Sequence, residues 1–271
     1  MITIWLTLFG LLPFVLITVA SFLSHDSRHL ITLPFTFNNY LEILNPIYFK
    51  IFEKSFYLAG ACTLLCLLLG YPFAYILART REPYKSLLML LTIVPFWTSS
   101  LIRSYAIMAL IKAKGILNGI LMALGIIDHP LQLLFSNTAV LLALVYNLLP
   151  FMILPLFSSI ERLDNRLIEA ARDLGANKTT TFLKVIIPLS LPGILAGSIL
   201  VFLPAMTLFY IPDLLGGSKS MLLGNLIQNQ FLLTVNWPLG SATSILLTVM
   251  MLILLGIYWH FSKAKDRQSL L

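Results

Sequence analysis

The chain has 271 residues, of which 59% are hydrophobic and only 11% charged, with a formal net charge of +7 and a mean hydropathy of +0.92. Soluble domains carry about 25% charged residues, so too few charges are present here to cover a water-exposed surface. Disorder is excluded as well, because disordered chains are poor in apolar residues. The remaining class is an integral membrane protein, and each crossing needs about 20 apolar residues.

Six stretches are long enough to cross: Ile2–Leu23, Ser55–Ala78, Ser86–Ile111, Phe135–Ile160, Val185–Pro212 and Leu239–Trp259. Five contain no Asp, Glu, Lys, Arg or His, and the third contains only Arg103. Backbone groups in hydrocarbon must be satisfied within the segment, and the alternating segments of a β-barrel are absent from the sequence, so these are expected to be helices. The expected fold is an all-α membrane protein, one transmembrane domain over residues 1–271 with six transmembrane helices. The first span lacks a basic leader, and its apolar run is longer than a signal peptide's, so an uncleaved helix is the expectation.

Orientation follows from the loops. With odd-numbered spans running outward, the inner segments 79–85, 161–184 and 260–271 total 43 residues and hold eleven of the eighteen Lys and Arg. The outer loops 24–54, 112–134 and 213–238 total 80 residues and hold six. The density is more than threefold higher inside, so both termini are expected in the cytoplasm. The positive charge therefore reports topology rather than a nucleic-acid partner.

Cys62 and Cys66 lie one helical turn apart in the second span, a spacing that suits small packing residues in lipid better than a metal or redox pair. Gly115–Ile127 is apolar but too short to cross, which predicts an interfacial or re-entrant helix. The loops at 24–54 and 213–238 read as modest ordered caps.

The segment between spans four and five, about 159–184, is the most organised of the polar stretches. Ile160, Leu163, Leu167, Ala171 and Leu174 recur at three- and four-residue steps, which predicts an amphipathic helix. Gly175 stands where a helix ends in a positive-φ residue, and Thr179, Thr180 and Thr181 can cap the next helix. On spacing alone, such a stripe either packs beneath the spans or at the lipid surface, or docks into the groove of a soluble partner.

Glu169-Ala170-Ala171, three residues, Gly175, nine residues and then Val185-Ile186-Ile187-Pro188 resembles the EAA signature of ABC-importer permeases, with Val185 and Ile187 as conservative departures. Gly70-Tyr-Pro-Phe-Ala, Val94-Pro-Phe-Trp-Thr-Ser-Ser-Leu-Ile-Arg, Leu148-Leu-Pro-Phe-Met, Leu174-Gly-Ala and Leu203-Pro-Ala-Met narrow the likeness to the first of the two permease subunits of spermidine/putrescine (polyamine) importers. The resemblance implies a type I ABC-importer permease in the bacterial inner membrane. Its partners would be a second homologous permease, two cytoplasmic ATPase subunits and a periplasmic polyamine-binding protein. ATP and Mg would sit on the ATPase, with no cofactor or metal in this chain, and the sequence contains no phosphate-binding loop.

The resemblance assigns ATPase coupling to Glu169, Ala170, Ala171, Gly175 and Pro188, with Arg172 and Asp173 beside them able to form rim ion pairs. A polycation path calls for aromatic faces and oxygen acceptors. Trp97, Tyr146, Phe209, Tyr210 and Asp213 are candidates, with Phe96, Ser99, Ser100 and Asn147 nearby, although each aromatic also suits a lipid-facing anchor and Asp213 an ordinary loop position. Arg103 is expected to snorkel towards the outer interface and stays off that list. The signature is equally compatible with an importer of sulfate, molybdate or thiamine, while a membrane-embedded redox or structural subunit lacks support from clustered His, Cys or carboxylates in the spans. The orientation has a direct test. Cysteines replacing Arg81 and Asp173 should react with a membrane-impermeant maleimide only from the cytoplasmic side, and one replacing Lys114 only from outside; the reverse pattern contradicts it.

Overall fold

The computed structural model describes Trp5 and residues 7–26, 29–217 and 220–268. The start of the first expected span (residues 2–4 and 6) and two of the outer-loop cations, Arg28 and Lys219, lie outside the described residues. The described chain is mainly helical, with one antiparallel hairpin, β1 (Ser24–Asp26) with β2 (His29–Thr32), as an exception to the all-α expectation.

The helices run in chain order as α1 (Leu12–Ser21, after a π turn at Thr7–Leu11), α2 (Asn38–Ile43), α3 (Pro46–Arg79), α4 (Tyr84–Ile93), α5 (Ser100–Ile111) and α6 (Ile116–Ala123). They continue as α7 (Asn137–Glu161), α8 (Asn165–Asp173), α9 (Lys178–Thr181), α10 (Ile187–Leu189), α11 (Leu191–Thr207), α12 (Tyr210–Leu215), α13 (Leu223–Leu232) and α14 (Trp237–Gln268).

Among the described residues, four stretches are long and apolar enough to cross a membrane: Pro46–Arg79, Ser100–Ala123, Asn137–Glu161 and Trp237–Gly256. A fifth is the pair Lys178–Leu189 and Leu191–Thr207, bent by 64°. Thr7–Ser21 and Tyr84–Trp97 are shorter apolar helices. The expected spans two, four and six are therefore single helices with shifted ends. The expected third span is broken instead, because Pro95 leads a 3₁₀ turn at Val94–Trp97 and Thr98 is extended before α5 begins. The expected fifth span turns at Ser190 and ends at Thr207, with α12 a separate short helix. The apolar run in loop 112–134 does form the short helix α6.

The chain divides into two compact units. One comprises residues 1–56, 207–209 and 221–271. There α14 packs along α1 and against α2 and α13, around buried Ile43, Leu239 and Ala242 with Tyr40, Tyr48 and Phe52 against them. Buried Asn39 satisfies chain ends beyond α1, its amide donating to the carbonyls of Ser21 (2.9 Å) and Leu23 (2.8 Å). The loops at 24–54 and 213–238 thus carry helices and hairpin as ordered structure.

The second unit comprises residues 57–206 and 210–220, and α7 is its buried centre. Val140, Ala143, Leu144, Met152 and Leu156 are fully enclosed. From α3 come buried Leu58, Ala59, Cys62, Cys66, Ala74 and Leu77, and the Cys66 thiol points at the Val145 carbonyl 3.8 Å away. Both cysteines are fully buried packing residues. On α11, Gly193 and Gly197 bring that helix against α7: a Cβ on Gly193 would stand 2.7 Å from the Pro155 carbonyl oxygen, and one on Gly197 2.7 Å from the Met152 sulfur. Small residues at such crossings let backbones approach without a hydrophobic driving force. Gly197→Val should therefore lower stability by about 1–3 kcal/mol, read as a reduced melting temperature in detergent. Gly256→Val, where nothing lies within 4 Å, should leave it unchanged.

Candidate functional site

The polar segment between α7 and α11 folds as a helix held at both ends. Glu161 is the last residue of α7, so the expected single stripe from Ile160 to Leu174 is split across two helices. Asp164 caps α8, its carboxylate accepting from the Arg166 N–H at 2.9 Å. At the other end Gly175 adopts φ +83°. Its N–H donates to the Arg172 carbonyl (2.8 Å) and the Ala176 N–H to the Ala171 carbonyl (3.0 Å), which is a Schellman closure.

Within α8 only Ile168 is buried. Leu167 is 48% and Leu174 89% exposed, so of the two readings of the stripe these residues do not pack beneath the spans. Leu167, Ala170 and Leu174 instead form an apolar strip in the open, flanked by exposed Glu169, Arg172 and Asp173, with Ala171 half-buried. The following helix is capped by Asn177, whose side-chain oxygen accepts from the Thr180 N–H at 2.7 Å, and not by the three threonines. Thr181 instead donates its hydroxyl back to the Asn177 carbonyl (3.0 Å). The chain then passes through a π turn at Phe182–Ile186 and through Pro188 in α10 to the bend at Ser190.

The C-terminal half of α3 grips this segment. The Tyr71 hydroxyl lies 2.8 Å from the Ser190 hydroxyl, both buried, at the corner of the bend. Tyr71 and Tyr75 meet the Phe182 ring edge-on at 5.6 and 5.8 Å. Arg79 donates to the Asn165 side-chain oxygen and lies 5.6 Å over the Tyr75 ring. Lys85, on the first turn of α4, pairs with Glu161 and lies 5.6 Å over Phe157. Arg79, Lys85 and Ser190 do not stand out in the sequence, and Tyr71 does so only within the Gly70-Tyr-Pro-Phe-Ala stretch, because their partners are far away along the chain.

The substrate-path candidates are less concentrated. Tyr210 donates to the Ser100 hydroxyl at 2.9 Å. Buried Asn147 donates to the Ala143 carbonyl (2.9 Å), while its side-chain oxygen has no hydrogen-bond partner. Arg103 is half-buried, and its guanidinium lies 5.0 Å from the Phe96 ring centre and 6.0 Å from that of Tyr146. A face of Tyr146 is therefore engaged with a cation of the protein itself. Trp97 is 77% exposed, and Asp213 is exposed on α12. Phe209 belongs to the other unit, where its carbonyl accepts from Asn225 at 2.7 Å.

The family described as binding-protein-dependent transport system inner membrane component matches residues 70–267. The chain is 51% identical over 264 residues to the spermidine/putrescine transport system permease protein PotB of Salmonella typhimurium, covering 97% of this chain and 92% of that protein. It is 50% identical over 264 residues to the Escherichia coli K12 protein of the same name, covering 97% and 96%. A solved bacterial alginate ABC transporter, in complex with an alginate pentasaccharide-bound periplasmic protein, contains a chain of similar fold, with TM-score 0.78, 15% identity, and 97% of this chain and 91% of that one covered.

The caps generate a prediction. Asp164→Ala should cost about 1 kcal/mol of local helix stability, which is roughly a fivefold rise in the opened population. Tryptic cleavage at Arg166 and Arg172 in inside-out vesicles should accelerate by about that factor; an unchanged rate contradicts the role of the cap.

Proposed function

The chain belongs to the family of inner membrane components of binding-protein-dependent transport systems, and on that premise we propose that it is the membrane-spanning permease subunit of an ATP-driven spermidine/putrescine importer. The observation that carries the reading is the exposed, doubly capped EAA helix, on a chain half identical over nearly its whole length to polyamine permeases. The protein is a multi-pass inner-membrane transport subunit. Six crossings with both ends in the cytoplasm are the topology that the loop charges favour, with the third and fifth broken.

ATP hydrolysis is assigned to two partner ATPase subunits, which hold ATP and Mg, and the substrate is delivered by a periplasmic polyamine-binding protein to this chain and a second homologous permease. Within that assembly α8 seats in a cleft of the ATPase. Ala170 is small enough to allow close approach, and the apolar strip Leu167–Ala170–Leu174 supplies area to bury. Glu169, Arg172 and Asp173 form a charged rim, where exposed ion pairs contribute roughly 0.2–1 kcal/mol each. Gly175 turns the chain sharply back, and Pro188 lies on the route by which movement of α8 reaches the bend at Ser190. Closure of the ATPase dimer is thereby converted into alternating access. Trp97, Tyr146, Phe209, Tyr210 and Asp213 remain candidate contacts along the path of the polycation.

The test is reconstitution of the complex in liposomes with internal ATP and external binding protein. ATP-dependent spermidine or putrescine uptake is expected. Glu169→Lys and Gly175→Pro should abolish it without loss of membrane insertion, since Pro cannot adopt the positive φ of Gly175. Absence of polyamine uptake with every partner present contradicts the substrate assignment, and full activity in both variants contradicts the coupling role.

A further inference from the structure

The coupling helix is flanked on both sides by contacts that reach a different pair of spans. On its leading side, Arg79 at the inner end of α3 donates to Asn165, the first residue of α8. Lys85 at the start of α4 pairs with Glu161, three residues before the cap Asp164. On its trailing side, Tyr75 and Tyr71 of α3 meet Phe182 edge-on. The connection 79–85 is short, and both its ends are engaged in this way.

The two polar contacts each carry an aromatic ring beside the cation. Exposed ion pairs contribute little on average, because both side chains must be ordered from water. Here the Lys85 side chain is only 20% exposed and its ammonium lies 5.6 Å over the Phe157 ring, while the Arg79 guanidinium lies 5.6 Å over Tyr75. Arg79 is therefore oriented by an aromatic ring of its own helix, while Lys85 meets Phe157 one turn before Glu161 on the partner helix, so that each contact is reinforced by a cation–π contact. The arrangement is that of a bracket: two spans hold the base of a helix whose outer face is free.

We propose that Arg79 and Lys85 are positioning residues that lock the base of the coupling helix to the inner ends of α3 and α4, so that a push on α8 moves the second and third spans together with the fourth and fifth. The inference rests on the assignment of α8 as the ATPase contact. It adds a route: the stroke does not travel only along the chain through α7 and α11. Severing the bracket leaves ATPase docking intact but lets α8 move without carrying α3 and α4.

The test measures ATP hydrolysis and spermidine uptake on the same reconstituted complex. Lys85→Glu and Glu161→Lys singly, and Asn165→Ala, should retain ATPase subunits and hydrolysis while uptake falls at least about fivefold, the lower end of a usual coupling between sites. ATP consumed per spermidine then rises by the same factor. The double exchange Lys85→Glu with Glu161→Lys should restore the ratio to near the unsubstituted value. An unchanged ratio in all three single variants overturns the proposal. So does loss of the ATPase from the complex, or a double exchange no better than its parents. Failure of the unsubstituted complex to transport at all would instead refute the underlying functional reading, which keeps the two outcomes distinct.

Discussion

A nine-residue helix that buries a single side chain cannot hold its own shape. Isolated helices shorter than about 12–15 residues are marginal in water, because nucleation fixes several residues for few hydrogen bonds. Helix α8 escapes that limit by being finished at both ends, with the Asp164 carboxylate accepting from the Arg166 N–H and the turn at Gly175 closing the last carbonyls. Its one buried residue, Ile168, keys it to the rest of the unit. The coupling reading depends on this rigidity, since a frayed helix would absorb a push rather than pass it on.

The membrane body beneath it is built for the same end. Buried α7 is surrounded by α3 and by α11, with Gly193 and Gly197 setting a close crossing. On the proposed coupling route the push enters this packed body at the bend of the expected fifth span, where the Ser190 hydroxyl meets that of Tyr71. A helix bent by 64° at a hydrogen-bonded corner has a defined place at which two arms change direction. Packed interiors transmit displacement because they have few voids in which to lose it.

The sequence was most readable where one residue type answers one physical demand. Long uncharged runs mark helices in lipid, and Gly175 marks a positive φ, as found at +83°. The Glu169-Ala170-Ala171 pattern with Gly175 carries the family resemblance by spacing alone. Legibility failed where the outcome depends on partners distant in the chain. Spacing leaves the stripe through Leu167 and Leu174 either packed or open to a partner, and it is Ile168 that packs, an outcome set by neighbours that no spacing rule names. The contact of Arg79 with Asn165 spans 86 positions, and no spacing rule reaches that far. Local competition hid other features: Asn177 outcompetes the neighbouring threonines as a cap, and Pro95 breaks a run that hydropathy alone reads as continuous.

The central claim is that the exposed face of α8 is covered by the ATPase partner. A cysteine in place of Ala170, in inside-out vesicles, reports on it directly through its rate of alkylation by a soluble maleimide. The account predicts rapid labelling of the permease pair alone and strong protection once the ATPase subunits are added. Slow labelling without the ATPase would place this face in lipid or protein already, and a rate unchanged by the ATPase would place the docking surface elsewhere.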